Sequence, residues 1–153
     1  MASFFVDTSA LAKRYTNEIG TRWVRNWTKT STGNWIVVSE LIVVEMFSVF
    51  ARREYDGHMT VSTTERFRRM FLMHTRDEYL LVKTGSAQLT VAQRLVTTHI
   101  GLGLRALDAI HLATALQAQN RLGMPLVFVS ADKKLLAAAA AEGFTTDDPN
   151  LHP

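Results

Sequence analysis

Short runs of apolar, mostly β-branched and aromatic residues recur along the chain, and longer segments with helical patterning separate them. Four such runs cover residues 4–6, 35–38, 79–82 and 126–129, and a last short strand is expected to begin at Phe144. Runs of this length and composition are typical of buried strands. Strands that alternate with helices predict an α/β fold whose strands form one parallel sheet.

Residues that favour helix ends stand between these runs. We expect helices to start at Ser39, at Ser62, where the pattern of a capping box occurs, and at Ser86. Gly143 is expected to end the last helix, and residues 147–149 are expected to fray.

The composition is that of an ordinary globular protein, with 47% hydrophobic and 20% charged residues. The 153 residues contain no linker, repeat or low-complexity block, so one domain over residues 1–153 is expected. The absence of cysteine excludes disulfides, thiolate zinc sites and a cysteine nucleophile. No basic leader or membrane-spanning run is evident, so we expect a cytoplasmic protein without a membrane partner. A net charge of +3 slightly favours an anionic partner.

Two aspartates follow predicted strands directly. Asp7 comes after the first strand, and Asp132 comes after the strand at 126–129 and a short turn. The carboxyl ends of parallel strands meet at one edge of a sheet, where open α/β folds bind ligands. Each aspartate could instead cap the helix that follows it, and this alternative is stronger for Asp132.

Glu45 lies in a predicted helix, residues 41–50, that is apolar almost all round and is therefore expected to be mostly buried. A carboxylate in such a helix must be paired, protonated or bound to a metal, because an isolated buried charge is very costly. A salt bridge to an arginine remains the alternative. Glu40, in the first turn, is interpreted as stabilising the helix dipole.

Asp108 lies in the early turns of an alanine-rich helix and is expected to point over the end of the sheet. A favourable interaction with the helix N-terminus is an equally good interpretation. His111 lies three residues further along the same face. It is interpreted as a packed residue without a catalytic role.

The contexts of these four acids together resemble the motifs of PIN-domain ribonucleases, in particular VapC-type toxins of bacterial toxin-antitoxin systems. The resemblance spans nearly the whole chain and rests on four motifs in order, which are Val6–Leu11, Ser39–Leu41 with Glu45, Leu107–Ala113 and Val129–Asp132. It implies a three-layer α/β/α PIN-like fold with a central parallel sheet of four to five strands. It also implies a Mg²⁺-dependent endoribonuclease that hydrolyses RNA phosphodiester bonds.

By the same resemblance, Asp7 and Asp108 would be ligands of Mg²⁺, or of Mn²⁺, while Glu45 and Asp132 would act through water. The hydroxyls of Thr8, Ser9 and Ser130 would support this site. Magnesium suits such residues because it prefers oxygen ligands and keeps several waters. Many relatives carry another acid shortly after the fourth aspartate, where this chain has Lys133 and Lys134. The number of metal ions, one or two, therefore stays open.

The most basic region of the chain lies between residues 52 and 76. Within it, Arg66, Arg68 and Arg69 are candidates for contacts with RNA phosphates. An ordinary solvated helix face or a contact between subunits is the alternative. The resemblance further implies a cognate antitoxin partner and a homodimer.

Two other functions are consistent with part of this pattern. An aspartate-nucleophile phosphatase also carries an aspartate after its first strand, but its motif needs a second aspartate where this chain has Ser9. A catalytically inactive PIN-like module that binds RNA or regulates a partner is the remaining alternative. The presence of all four acids argues against it.

Overall fold

The computed structural model describes residues 1–153 and contains a central sheet of five parallel strands in the order β3-β2-β1-β4-β5. The strands are β1 (Ser3–Val6), β2 (Trp35–Ser39), β3 (Tyr79–Val82), β4 (Val127–Val129) and β5 (Thr145–Asp147). A parallel order needs a crossover between each pair of strands, and helices supply these crossovers. The α/β prediction is confirmed.

Seven α-helices surround the sheet. They are α1 (Thr8–Leu11), α2 (Thr21–Trp27), α3 (Ile42–Tyr55), α4 (Val61–Asp77), α5 (Ser86–Thr98), α6 (Ala106–Leu122) and α7 (Lys133–Ala141). Four short 3₁₀ turns lie between or after them. No helix is both long enough and apolar enough to span a membrane.

The alternation of side chains along the strands divides the core into two parts. Phe5 and Phe128 face one side of the sheet, where α5, α6 and α7 pack. Val6 and Val129 face the other side, where α1 to α4 pack. Successive residues of a strand point to opposite faces, so buried runs such as β1 need apolar residues at every position. The result is the three-layer α/β/α arrangement that was expected.

Two predicted helix starts are wrong by a few residues. Ser39 is the last residue of β2, because its pairing with Val82 extends the ladder, and α3 begins only at Ile42. The cap of α4 is Thr60 rather than Ser62, since the Thr60 hydroxyl accepts a hydrogen bond from the Thr63 N–H. Serine and threonine are equally suited to such caps, so spacing alone could not separate them.

The chain end is held in place, and the expected fraying after β5 is wrong. The Asp148 carboxylate is buried and accepts a hydrogen bond from the Asn150 N–H at 2.8 Å. The His152 ring stacks on Trp23 with a centroid distance of 4.1 Å. Gly20 approaches the carbonyl of Pro149 so closely that a Cβ there would lie 2.3 Å from the oxygen.

Helix α3 is less buried than its apolar sequence suggested. Ile42, Met46 and Phe50 are fully buried against the sheet, whereas Val44 is 72% exposed. The helix therefore has a solvent side, and the expectation that it is mostly buried holds only for the side that faces the sheet. Glu40 lies before α3 rather than in its first turn, and its carboxylate accepts a hydrogen bond from the Thr84 N–H.

Candidate active site

Asp7 occupies the junction between the sheet and the first helix. Its N–H donates to the carbonyl of Val129, which extends the pairing of β1 and β4 by one residue. Its carboxylate accepts hydrogen bonds from the Ala10 N–H at 3.1 Å and the Ser9 hydroxyl at 2.8 Å. Asp7 is thus the cap of α1 and also stands at the carboxyl end of the central strand. The two interpretations of this residue are compatible.

The Asp7 carboxylate lies in an environment that disfavours its charge. Only 5% of the residue is exposed. Burial raises its pKa to about 6, although the nearby His111 and the hydrogen bonds from Ser9, Ala10 and Ser130 act in the opposite direction. A buried carboxylate with a raised pKa gains most from a nearby cation.

Glu45 is paired with a histidine rather than with an arginine. Nε2 of His111 donates to Oε2 of Glu45 at 2.6 Å, and the Thr8 hydroxyl donates to the same oxygen at 2.8 Å. Burial raises the pKa of Glu45, but these two hydrogen bonds and the charge of His111 outweigh it and hold the pKa below its ordinary value. Glu45 is therefore ionised at neutral pH.

His111 has a larger part in the site than its sequence context indicated. Burial lowers the pKa of its ring, but Glu45 first, and then Asp7 and Asp108, outweigh this effect and raise the pKa. Two features of the sequence could have indicated this role of His111. It shares a helix face with Asp108, and Glu45 needs a partner. The spacing of 66 residues between Glu45 and His111 hid their contact.

Two serines connect the ends of β1 and β4. The Ser9 hydroxyl accepts a hydrogen bond from the Ala131 N–H at 2.9 Å and lies 3.3 Å from the Ser130 hydroxyl. The Ser130 hydroxyl in turn accepts from the Asp132 N–H at 3.0 Å. This chain of contacts fixes the loop before α7 relative to Asp7.

Asp132 uses one carboxylate oxygen for helix capping. Oδ1 accepts hydrogen bonds from the N–H groups of Lys134 and Leu135 at 2.8 and 3.2 Å. Oδ2 is approached by Nη2 of Arg105 at 3.5 Å. The capping interpretation therefore applies, and the other oxygen of Asp132 faces Arg105.

Asp108 lies in the first turn of α6. Its Oδ2 accepts hydrogen bonds from the backbone N–H of Arg105 at 3.3 Å and from the Arg105 side chain Nε at 3.0 Å. The backbone contact caps the helix, as the dipole interpretation implies. The side chain is 14% exposed and lines both of the clefts described below.

The acids line two adjoining clefts at the carboxyl end of the sheet. The first cleft, of about 690 Å³, contains the acids Asp7, Glu45, Asp56 and Asp108 with the basic residues Arg52, Arg53, His58, Arg105 and His111. The second cleft, of about 700 Å³, contains the acids Asp7, Asp108 and Asp132 with the basic residues Arg105, Lys133 and Lys134. Asp7, Ser9, Arg105 and Asp108 belong to both. The carboxylates thus form a centre with basic walls on two sides.

The acids do not form a closed metal cage. No group of three or more histidine, aspartate or glutamate side chains lies close enough together to hold a metal ion by protein ligands alone. A hydrated Mg²⁺ needs only one or two carboxylates, and Asp7 and Asp108, which both line the two clefts, provide them. The donor set therefore fits a hydrated magnesium ion.

The arginines of α4 lie elsewhere. Arg66, Arg68 and Arg69 line neither cleft. The Arg68 guanidinium lies 5.6 Å from the ring centroid of Phe47 on α3, which is a packing contact between two helices. An RNA contact of these three residues would therefore lie outside both clefts.

The chain is similar to known proteins over nearly its whole length. The family model of the PIN domain matches residues 4–142. The chain belongs to the PIN-domain family. It is 34% identical over 148 residues to ribonuclease VapC47 of Mycobacterium tuberculosis (strain CDC 1551 / Oshkosh). This alignment covers 95% of this chain and 96% of the relative.

Solved structures of this PIN-domain protein's relatives show the same fold. VapC20 of Mycobacterium tuberculosis, a sarcin-ricin loop cleaving toxin, aligns with a TM-score of 0.66 and 15% identity over 98% of this chain and 99% of that one. DNA-bound VapBC from Salmonella typhimurium aligns with a TM-score of 0.63 and 14% identity over 97% of this chain and 99% of that one. At such low identity these two likenesses support the fold alone.

Proposed function

We propose that this PIN-domain protein is a metal-dependent endoribonuclease and the toxin of a toxin-antitoxin module. The observation that carries the proposal is the convergence of Asp7, Glu45 and Asp108 on one cleft whose walls are basic. The 34% identity to a ribonuclease of the VapC type supports the same activity. Carboxylates alone would repel RNA, so the basic walls are needed to hold its phosphates near the acids.

Asp7 and Asp108 would hold Mg²⁺, or Mn²⁺ in its place. When bound there, the ion supplies a water of lowered pKa and neutralises charge that develops on the phosphate. Asp7 is oriented for this role by Ser9, which is itself held beside Ser130. Asp132, with one oxygen engaged in capping α7, would act through water.

Glu45 would orient the attacking water and accept its proton. The Thr8 hydroxyl and His111 hold the carboxylate by hydrogen bonds to Oε2, which leaves Oε1 free for a water. The lowered pKa of Glu45 keeps it ionised, as a group that accepts a proton must be. His111 positions Glu45 and does not itself need to touch the RNA.

RNA should contact the basic residues of the two clefts rather than those of α4. Replacing Arg52 and Lys134 with Ala is expected to weaken binding across sequences, because each residue lines one cleft and neither forms a salt bridge. The slope of log K against log salt should fall by about 1.4, or about 0.7 per lost contact with a single strand. Fluorescence anisotropy with a labelled RNA at several salt concentrations measures this slope.

The matched control replaces Arg66, Arg68 and Arg69 with Ala, which removes more positive charge outside both clefts. Its salt slope should stay close to that of the wild type. If the salt slope falls more in this control than in the Arg52 and Lys134 variant, the RNA contacts α4 instead of the clefts.

The activity can be tested by mapping RNA ends after brief induction in cells. The wild type should produce new ends at a limited set of sites, and Asp108→Asn should produce none because it lacks a metal ligand. Equal sets of ends in the two strains would favour the inactive RNA-binding or regulatory module.

We further propose a homodimer and an antitoxin that inhibits the site. On α3, Met46 and Phe50 are buried in the core, and Val44 and Tyr55 are the exposed large hydrophobic residues, at 72% and 91%. Two such side chains are a small apolar surface for a partner. The dimer therefore rests on the family resemblance. Light scattering that shows only monomer over a wide concentration range would contradict it.

Inhibition by the antitoxin is expected to ease as magnesium is raised. An arginine or lysine of the antitoxin, inserted among Asp7, Glu45 and Asp108, would form charge-assisted hydrogen bonds with the oxygens that the ion needs. Cleavage assays at a fixed amount of antitoxin and increasing Mg²⁺ measure this competition. Inhibition that is independent of Mg²⁺ would show that the antitoxin acts outside the metal site.

A further inference from the structure

Arg105 is the one lysine or arginine whose side chain bonds to the acidic centre. Its Nε lies 3.0 Å from Oδ2 of Asp108, and its Nη2 lies 3.5 Å from Oδ2 of Asp132. Lys133 and Lys134 line the second cleft but form no salt bridge with these acids. Arg105 is therefore the cationic side chain that pairs with Asp108 and Asp132.

The Arg105 side chain is positioned to move. It is 76% exposed, and it lies on the wall that the two clefts share. Exposed ion pairs of this kind contribute little to stability, because solvent screens them and the side chain loses conformational freedom. A divalent ion that binds the same oxygens meets only a weak competitor, and the displaced guanidinium stays within reach of a ligand in either cleft.

We propose that Arg105 is an internal counter-ion of the metal-free site that releases Asp108 to the metal and Asp132 to the water around it, and then binds a phosphate of the RNA. The proposal deepens the nuclease function and rests on it. The guanidinium fork matches two oxygens of a phosphate, which an ammonium cannot do. The junction of the two clefts beside Asp7 is where the reacting phosphate would lie, so one side chain serves both states of the site.

The variant Arg105→Ala separates this role from a structural one. The hydrogen bond that caps α6 comes from the backbone N–H of residue 105 and survives the substitution. The variant should therefore keep the melting temperature of the wild type. Arg105→Lys keeps the charge but loses the fork.

The decisive measurements are magnesium binding by calorimetry without RNA and RNA binding at saturating magnesium. Arg105→Ala should bind Mg²⁺ about two- to fivefold more tightly, as expected for the loss of one exposed competing pair. The same variant should bind RNA about tenfold more weakly, because a charge-assisted hydrogen bond to phosphate is lost. Arg105→Lys should restore the magnesium affinity of the wild type but only part of the RNA affinity.

Arg76→Ala is the matched control. Arg76 is equally exposed, at 76%, and pairs with Asp77 far along α4 from either cleft. It should change neither affinity. Unchanged magnesium affinity in Arg105→Ala would overturn the counter-ion role, and tighter magnesium with unchanged RNA binding would overturn the transfer to phosphate. Failure of the wild type and every variant to bind magnesium would instead contradict the proposed metal-dependent function.

Discussion

Asp7→Asn is expected to abolish metal-dependent cleavage while the fold stays intact. The amide keeps the size of the side chain and can still cap α1, but it no longer offers a charged ligand to the metal. Loss of residues that only support metal ligands typically costs about 10- to 100-fold in activity, so loss of a ligand should cost at least the upper end of that range. Initial rates on a labelled RNA with Mg²⁺ measure the effect.

The same substitution should stabilise the metal-free protein near neutral pH. Burial raises the pKa of Asp7 from its ordinary value of 3.8 to about 6. The stability that the protonated carboxyl contributes is therefore fully present below pH 3.8 and is lost as pH rises through about 6. A rise of this size corresponds to on the order of 3 kcal/mol in the free energy of unfolding. Asn cannot ionise and should avoid that loss.

Denaturant titrations in EDTA from pH 4 to pH 8 test the sign. The gain of Asp7→Asn over the wild type should grow between about pH 4 and pH 6 and then level off. Asp148→Asn is a suitable control, because Asp148 is equally buried at 5% but lies away from the clefts. A wild type that is more stable than Asp7→Asn at pH 7 without metal would contradict the electrostatic account of the site.

His111→Leu should impair both stability and activity. It removes the donor that holds Glu45 at 2.6 Å, and Glu45 is then left with the Thr8 hydroxyl. The free energy of unfolding should fall by about 1–3 kcal/mol, because a charge-assisted hydrogen bond is lost. Loss of the unpaired Nδ1 of His111 partly offsets this cost. Cleavage should fall by about 10- to 100-fold, as for other residues that orient a metal site.

The stability lost in His111→Leu should depend on pH. Because the pKa of His111 is raised in the folded protein, its contribution to stability is present below pH 6.5 and is lost as pH rises through the folded pKa. Because the pKa of Glu45 is lowered in the folded protein, its contribution to stability is present above pH 4.5 and is lost as pH falls through the folded pKa. The difference between the two proteins should therefore be largest between about pH 4.5 and pH 6.5. A difference that does not vary with pH would show that His111 acts by packing alone.

The strands could be predicted closely because each is a short, buried, β-rich run. The run at residues 79–82 coincides with β3, and the run at 126–129 exceeds β4 by one residue. The order of the strands in the sheet could not be predicted from the sequence, because it depends on which crossover helix packs on which face. The three-layer fold and the family followed from motif order and are confirmed by the structure and by the match to the PIN domain.

The partners of the acids could not be predicted, because the contacts join distant parts of the chain. Glu45 was expected to need a partner, but nothing in its own helix indicated His111. Arg105 was visible in the sequence as the residue before α6, yet its distance to Asp132 depends on how α6 and α7 pack. Helix propensity and spacing describe neighbours along the chain, while a site of this kind is built by tertiary packing.

Metal-dependent cleavage can be measured by incubating the purified protein with a labelled RNA in Mg²⁺, in EDTA, and in EDTA followed by excess Mg²⁺. We expect cleavage in Mg²⁺, none in EDTA, and full recovery when Mg²⁺ is restored. We also expect products without 2′,3′-cyclic phosphates, because a water activated at the carboxylate site attacks the phosphorus. Cleavage that persists in EDTA and leaves cyclic phosphates would contradict the proposed metal-dependent function.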